Sequence, residues 1–581
     1  MKTITKKIND IASRAFEEAG YDGKYGTVKI SDRPDLCQFQ CNGAMPASKQ
    51  YHKAPVQIAG DVDKVMSTYD IFEKVEAVAP GFINIDLSPV FMAEVAEAMS
   101  RDEKLSMEEP EKKETIIVDY GGANVAKPLH VGHLRPAVIG ESIKRICRFK
   151  GHRVIGDVHL GDWGLQIGLI ITELKRRDPS LVYFDEDYKG EYPDEPPFSI
   201  TDLEEIYPAA SKRAGEDEQF KKEAEENTRR LQSGYEPYMA IWRHIMNVSV
   251  KDLKKNYDNL EVYFDLWKGE SDVESYIPDM IEDLKKRGLA TISEGALVVD
   301  VANDDDAKEI PPCIILKSNG ATLYATTDLA TIIERQREYA PSKIIYVADK
   351  RQSLHFEQVF RTARKAGLCD DECKLIHIGF GTMNGKDGKP FKTRDGSVLR
   401  LEELLAQIVE EVKQKMTENR DYTEQELLGI SEKVGLAALK YGDLSNQASK
   451  DYIFDIERFA SFEGNTGPYI LYTIVRIRSV LRKHRESGGV IDDALPLLVP
   501  GNESESKLYL ELAGFPDMVE NAYEELAPHR ICSYVYGLSE AFNHFYHDTK
   551  ILACEDEKKK NSYLRLISLV ARVLEISIDL L

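Results

Sequence analysis

Thr115-Ile-Ile-Val-Asp-Tyr120-Gly-Gly-Ala-Asn124-Val-Ala-Lys127-Pro-Leu-His130-Val-Gly-His133-Leu-Arg135 decides how the chain folds. Its β-branched opening, bounded by Gly121-Gly122, reads as a strand buried on both faces of a parallel sheet. A helix pattern starts near His133 and runs to Lys150, and Val154-Ile-Gly-Asp-Val158 reads as the next strand. Strand, glycine turn, helix and strand form the βαβ unit of a doubly wound sheet, which binds phosphates where the first turn meets the helix. His130 and His133 sit at that place, on one face of a helix N-terminus, where both can hydrogen-bond phosphate oxygens. Gly132 between them leaves room for a flat base against the backbone. Pro128 and Gly132 suit a turn better than a helical zinc pair, so no metal site is expected.

Working outward, Ile4, Ile8, Ile11, Ala12, Ala15 and Phe16 recur at helical spacing, with Gly20 placed to close that helix. This first unit ends after the strand-like Gly81-Phe-Ile-Asn-Ile-Asp-Leu87, before a helix and a charged linker around Met107 to Lys113. Residues 184–197 are acidic and broken by proline, and a charged helical stretch follows to Leu260, so an insertion of about residues 175–295 is expected. Strand signals at Ala296–Val301, Cys313–Leu316, Lys343–Val347 and Leu375–Gly379 predict that the sheet continues past it. From Leu401 the pattern is helical. The expected divisions are residues 1–110, 111–400, 401–457 and 458–581. The expected fold class is α/β: a Rossmann-like parallel-sheet domain between an α+β N-terminal part and an all-helical C-terminal part.

With 99 acidic and 76 basic residues among 581, the chain carries a net charge of −23 and is no general coat for polyanions. Any nucleic-acid contact must use a local basic face. One candidate is Ile474–Arg485, where Ile474, Ile477, Val480 and Leu481 follow helical spacing beneath Arg476, Arg478, Arg482, Lys483 and Arg485. Eight scattered cysteines fit free thiols in a reducing compartment. The charged N-terminus is no secretion signal, and Arg565, Arg572, Glu575 and Asp579 interrupt the apolar tail, so a cytoplasmic protein with no membrane span is expected.

His130-Val-Gly-His133 resembles the HIGH signature of class I aminoacyl-tRNA synthetases, and the longer Ala123–His133 string is similar to that of the arginyl-tRNA synthetases. Gly161-Asp-Trp-Gly-Leu-Gln-Ile-Gly168, Phe264-Asp265 with Glu270-Ser271, Tyr324-Ala-Thr-Thr-Asp328, His355-Phe-Glu-Gln358, Gly388-Lys-Pro-Phe-Lys-Thr-Arg394 and Asn465-Thr-Gly-Pro-Tyr469 resemble the same family in the right order. The resemblance implies an arginine pocket with Asp119 and Asp328 as guanidinium acceptors and Tyr324 one turn before Asp328. It further places Gly122 in the pocket, and Asn124 and Gln352 at the amino and carboxylate ends, with His130 nearby. Bidentate carboxylate pairing suits a guanidinium, and acceptors left unpaired would reject lysine or citrulline without editing. For ATP, which enters as Mg-ATP, the resemblance implies His130, Gly132, His133, Met383, Lys389 and Lys392. Thr393 stands where the second signature carries its second lysine, and Lys127 is the candidate replacement.

The same resemblance implies an anticodon-binding C-terminal domain, with Tyr469, Arg476 and Arg478 as tRNA contacts. It also implies an N-terminal domain touching the outer corner of tRNA, and a monomer with no zinc. A small-molecule nucleotidyltransferase, or a synthetase-like protein without chemistry, remains open at this point. The family's first step requires bound tRNA, so ATP-pyrophosphate exchange measured without tRNA is expected to be silent and to appear when tRNA is added.

Overall fold

The computed structural model describes residues 3–389, 391, 399–417 and 423–581. Two compact units result, Lys112–Ala460 and the combination of Met1–Glu111 with Ser461–Leu581. Among the described residues no helix is long and apolar enough to cross a membrane.

The Lys112–Ala460 unit is built on a four-stranded parallel sheet in the order Lys374–Phe380, Lys343–Asp349, Thr115–Asp119, Arg153–Asp157. Ile116, Ile117 and Val118 have no exposed surface, as expected of a strand covered on both faces. Gly121 and Gly122 turn the chain out of this strand at φ +95° and +57°, conformations that cost glycine little. The helix Leu134–Phe149 then returns the chain to the Arg153–Asp157 strand. Beyond that strand, bridges Asp157–Leu266 and Leu160–Gly269 lay the returning end of the insertion alongside it. The insertion itself is the three helices Ile200–Glu216, Glu218–Gln232 and Glu236–Asn259. Ala210, Phe220 and Ala224 of this insertion pack on Leu169.

One expectation fails. Ala296–Val299 and Cys313–Leu316 do not extend the parallel sheet; they join Ala290–Ser293 in a separate antiparallel sheet. The reason lies in the turn: Ser293 pairs with Ala296 across Glu294 and Gly295, both at positive φ. A two-residue connection of that kind can join only antiparallel strands, whereas parallel ones need a long crossover. Val299 and Ile315 still share a core with Ile117 and Ile344.

In the other unit, Val28–Ile30, Phe39–Cys41, Phe82–Leu87 and Phe72–Val78 form an antiparallel sheet in that order. Its C-terminal part is helical, from Gly467–Glu486 to Glu557–Asp579. Arg565 grips Glu97, on the helix Pro89–Arg101, with two bonds of 2.9 and 3.1 Å, tying that helix to the C-terminal helices.

A buried network holds the first strand of the parallel sheet to its helix. Tyr120 Oη donates to Glu141 Oε2 at 2.8 Å, and Lys144 Nζ and Arg145 Nε each approach Glu141 at 2.8 Å. Burial pushes the Glu141 carboxyl up, but the Lys144 charge and the hydrogen bonds outweigh it and hold it below the ordinary value. Glu141→Ala leaves Lys144 buried and unpaired, which costs about 3–5 kcal/mol. Thermal denaturation is expected to show a drop of several degrees, and Glu141→Gln a smaller one.

Candidate active site

A cavity of about 780 Å³ opens at the carboxyl ends of the parallel strands, where open α/β sheets bind ligands. Asp119 closes the central strand, Asp349 the next, and Phe380 the one after it. All three border the cavity.

One side carries the histidines. The His133 Nδ1 accepts from the His130 amide at 3.1 Å, and the His130 Nδ1 from the Gly132 amide at 3.0 Å. With both Nδ1 atoms accepting, the neutral rings carry their protons on Nε2 and present two donors. The rings lie 4.0 Å apart. Burial, then the charge of Lys127, lowers His130; burial, then the neighbouring His130, pushes His133 down to about 3. The pair is therefore neutral at physiological pH, two fixed N–H donors beside the N-terminus of a 16-residue helix. A Cβ on Gly132 would stand 2.7 Å from His130 Cε1, so this glycine makes room for the histidine ring to fold over its own backbone.

The other side is anionic. His355 Nε2 donates to Asp328 Oδ2 at 2.5 Å, and Arg335 Nη2 donates to Asp119 Oδ2 at 2.6 Å. Glu270 borders the same cavity. Burial first, then the charges of Asp162 and Asp328, pushes its carboxyl up to about 8. Burial and the Glu270 charge raise Tyr324 as well, although that residue stands at the surface, 70% exposed. Three acidic side chains and a phenol thus converge where a cationic ligand would relieve their mutual repulsion.

The structure brings Asp119, Gly122, Asn124, His130, Gly132, His133, Tyr324, Asp328, Gln352 and Met383 together around this cavity. Two lysines expected there stand elsewhere. Lys127 Nζ rests over the Tyr207 ring, 4.5 Å from its centroid, so an insertion aromatic holds the ammonium out of the cavity. Its charge nevertheless reaches both histidines. Lys389 is exposed and its backbone closes a turn with Gly385. Lys392, Thr393 and Arg394 lie outside the described residues. Among the described residues on either side, Met383 accepts from the Phe391 amide at 3.1 Å, and Leu399 from the Val131 amide at 3.1 Å.

Sequence reasoning gave Glu270 no role and passed over Arg335, His355 as a partner of Asp328, and Phe391. Glu270 and Phe391 stood inside quoted motifs, but nothing in their spacing distinguished a cavity wall from a surface. Arg335, two turns beyond Asp328 on the same helix, offered the one usable signal.

A family model for the catalytic domain of class I (R) tRNA synthetases matches residues 94–456. Models for the DALR anticodon binding domain and the arginyl tRNA synthetase N-terminal domain match residues 470–581 and 2–87. An arginine–tRNA ligase of Agathobacter rectalis is 58% identical over all of this chain and 99% of that protein. Another, of Alkaliphilus oremlandii, is 56% identical over all of this chain and 99% of its own length. The chain belongs to the arginyl-tRNA synthetases. Among solved structures, the arginyl-tRNA synthetase of Plasmodium falciparum superposes with a TM-score of 0.83 at 27% identity, covering all of this chain and 98% of that one.

In this synthetase the basic helix is Gly467–Glu486, and Ile474, Ile477, Val480 and Leu481 are buried as its spacing predicts. Arg476 Nη1 donates to Asn543 Oδ1 at 2.6 Å, with its guanidinium over the Tyr472 and Tyr546 rings. Tyr469 donates to Glu540 and accepts from Asn543. Arg478 differs: its Nε donates to Glu575 at 2.8 Å, so its charge is already matched. Tyr472 and Tyr546, beside Arg476, are exposed.

Glu270 in the folded synthetase holds a proton that its unfolded form, at the ordinary value of 4.5, would lose. The stability it contributes is complete below pH 4.5 and is lost as pH rises through about 8. Glu270→Gln is therefore expected to gain thermal stability relative to the parent from pH 5 to pH 8 and no further, measured by paired melting curves.

Proposed function

We propose that the synthetase joins L-arginine to the 3′-terminal ribose of tRNA(Arg) in this cavity, in two steps. The arginine carboxylate attacks the α-phosphorus of Mg-ATP, giving arginyl-adenylate and pyrophosphate. The terminal ribose of the tRNA, by family resemblance its 2′-hydroxyl, then takes the arginyl group and AMP leaves. No covalent protein intermediate is needed; the protein contributes geometry and fixed charge.

The observation that carries the reading is the pair of carboxyl groups of Asp328 and Glu270, matched among the described residues by no protein cation other than His355, in the same cavity as two neutral histidine donors. In this assignment Asp328 and Glu270 hold the guanidinium fork with Tyr324 across the mouth. Asp119, whose Oδ1 accepts nothing among the described residues, takes part in holding the substrate's positive end. Asn124 and Gln352 orient the amino and carboxylate groups. His130 and His133 donate to phosphate oxygens as negative charge builds, with Gly132 and Met383 at the nucleotide. Lys127, on its flexible stem, exchanges Tyr207 for a phosphate and supplies the positive charge missing at Thr393; Lys389 and Lys392 close over the triphosphate. Magnesium enters with ATP, where phosphate oxygens and water satisfy its octahedral preference.

For tRNA the assignment keeps Arg476 and Tyr469, with Tyr472 and Tyr546 as stacking faces, and gives Arg478 a structural part unless it leaves Glu575. The domain divisions, a monomeric state and a cytoplasmic location belong to the same reading.

Charging of total tRNA with each amino acid in turn tests it: arginine alone is expected to be accepted, and acceptance of another amino acid would overturn it. Asp328→Asn is expected to lower kcat/KM for arginine by about 10²–10³ while KM for ATP changes little. Because Glu270 is protonated below about 8 in the free protein, arginine binding should release close to one proton at pH 7 and weaken as pH falls. Calorimetry in buffers of different ionisation enthalpy measures this.

A further inference from the structure

The helix Tyr324–Tyr339 carries Asp328 and, seven residues later on the same face, Arg335. Arg335 is 1% exposed, and its Nη2 lies 2.6 Å from Asp119 Oδ2 and 2.6 Å from Asp157 Oδ2. Asp119 and Asp157 are register partners on adjacent parallel strands, so both side chains leave the same face of the sheet. Two buried carboxylates placed side by side repel strongly. Without a cation between them one must turn away or take up a proton. Of the two, only Asp119 borders the cavity, while Asp157 is 2% exposed.

The pairing is a poor one by the standards of buried arginines. A guanidinium fork normally meets a carboxylate through two nitrogens. Here one nitrogen serves two carboxylates, the guanidinium lies 5.3 Å from the Tyr346 ring centroid, and among the described residues Arg335 Nε, Arg335 Nη1 and Asp157 Oδ1 make no well-formed hydrogen bond. Each unmatched group costs free energy. An arrangement selected for stability alone would turn the fork to face one carboxylate. The geometry instead keeps Asp119 Oδ2 occupied from beneath while its other oxygen stays available to the cavity.

We infer that Arg335 is a positioning residue for substrate recognition, fixing the Asp119 carboxylate in one orientation at the cavity wall. It rests on the reading of Asp119 as a contact for the positive end of arginine. Asp157 then completes the seat of Arg335 and touches no substrate. One helix thereby sets both acceptors, Asp328 directly and Asp119 through Arg335, so their separation is fixed within a single rigid element.

The test is steady-state charging with arginine and ATP varied separately. Arg335→Met combined with Asp157→Asn removes the guanidinium together with the carboxylate it neutralises, which keeps the buried charge balanced. This double variant is expected to raise KM for arginine about 10- to 100-fold and to leave KM for ATP within about twofold. Arg335→Lys, which keeps the charge but not the planar geometry, should fall between it and the parent. Asp157→Asn alone should leave KM for arginine within about threefold. A folded double variant with a parental KM for arginine, or one in which both KM values rise together, overturns the inference. Should the double variant fail to fold, Arg335→Lys decides by the same split. Asp119→Asn separates the premise: an unchanged KM for arginine there would remove Asp119 from the substrate and the inference with it, whereas a raised KM beside a silent Arg335 would overturn the inference alone.

Discussion

Carboxylates gathered at the end of a buried sheet require positive charge, and the site meets that need in two ways. Arg335 is a permanent counter-charge for Asp119 and Asp157. Among the described residues Asp328 has only the imidazole of His355, and Glu270 has no protein cation and keeps its proton instead. The unsatisfied part of this ledger is the specificity. In the proposed assignment the ligand supplies a delocalised cation whose donors diverge in a plane, because a point charge cannot reach several carboxylates with directed bonds. The proton on Glu270 prevents the empty cavity from storing the full repulsion of three ionised acids.

The histidine side of the cavity obeys the opposite logic. Its two imidazoles are kept neutral by burial and by each other, so they attract phosphate through dipoles rather than charge. Neutral donors fixed by backbone amides need no reorganisation when charge develops on a phosphate oxygen. Lys127 on Tyr207 and Lys389 at the surface stand outside the cavity, and in the proposed assignment it is these lysines that bring full positive charge. In the proposed assignment, recognition of the amino acid is built into strands and one helix, while the charges that act on the triphosphate ride on flexible lysine stems. That division suits a reaction in which the ground-state site must not bind pyrophosphate too tightly to release it.

The βαβ unit was legible because its cues are local: a β-branched run, two glycines and a helix pattern. Placing Asp119, Asn124 and the histidines at one end of the sheet follows from that reading alone. The strands at Ala296 and Cys313 were misassigned because apolar content identifies a strand without fixing its neighbour. The deciding feature was the short Glu294-Gly295 turn. Lys127 stood out in sequence only as a candidate replacement for the missing signature lysine, and its contact with Tyr207 depends on packing some eighty residues away in sequence. Glu270 and Arg335 became candidates only when the fold placed them near Asp328 and Asp119. Long-range juxtaposition is the part of a site that single-chain patterns do not encode, whereas signature loops carry their geometry with them.

Net charge leads to a similar separation on the tRNA side. A chain at −23 cannot rely on a diffuse field to hold a polyanion, so affinity must come from a few contacts made at short range. On the Gly467–Glu486 helix the two arginines singled out by sequence are not equivalent. Arg478 is matched by a carboxylate, and a phosphate could recruit it only by displacing Glu575. Arg476 is held by a neutral amide and sits over two tyrosine rings, so its charge remains available while its position is fixed. A guanidinium and aromatic faces presented together favour unpaired bases over duplex backbone, because stacking needs a nucleotide already out of its helix.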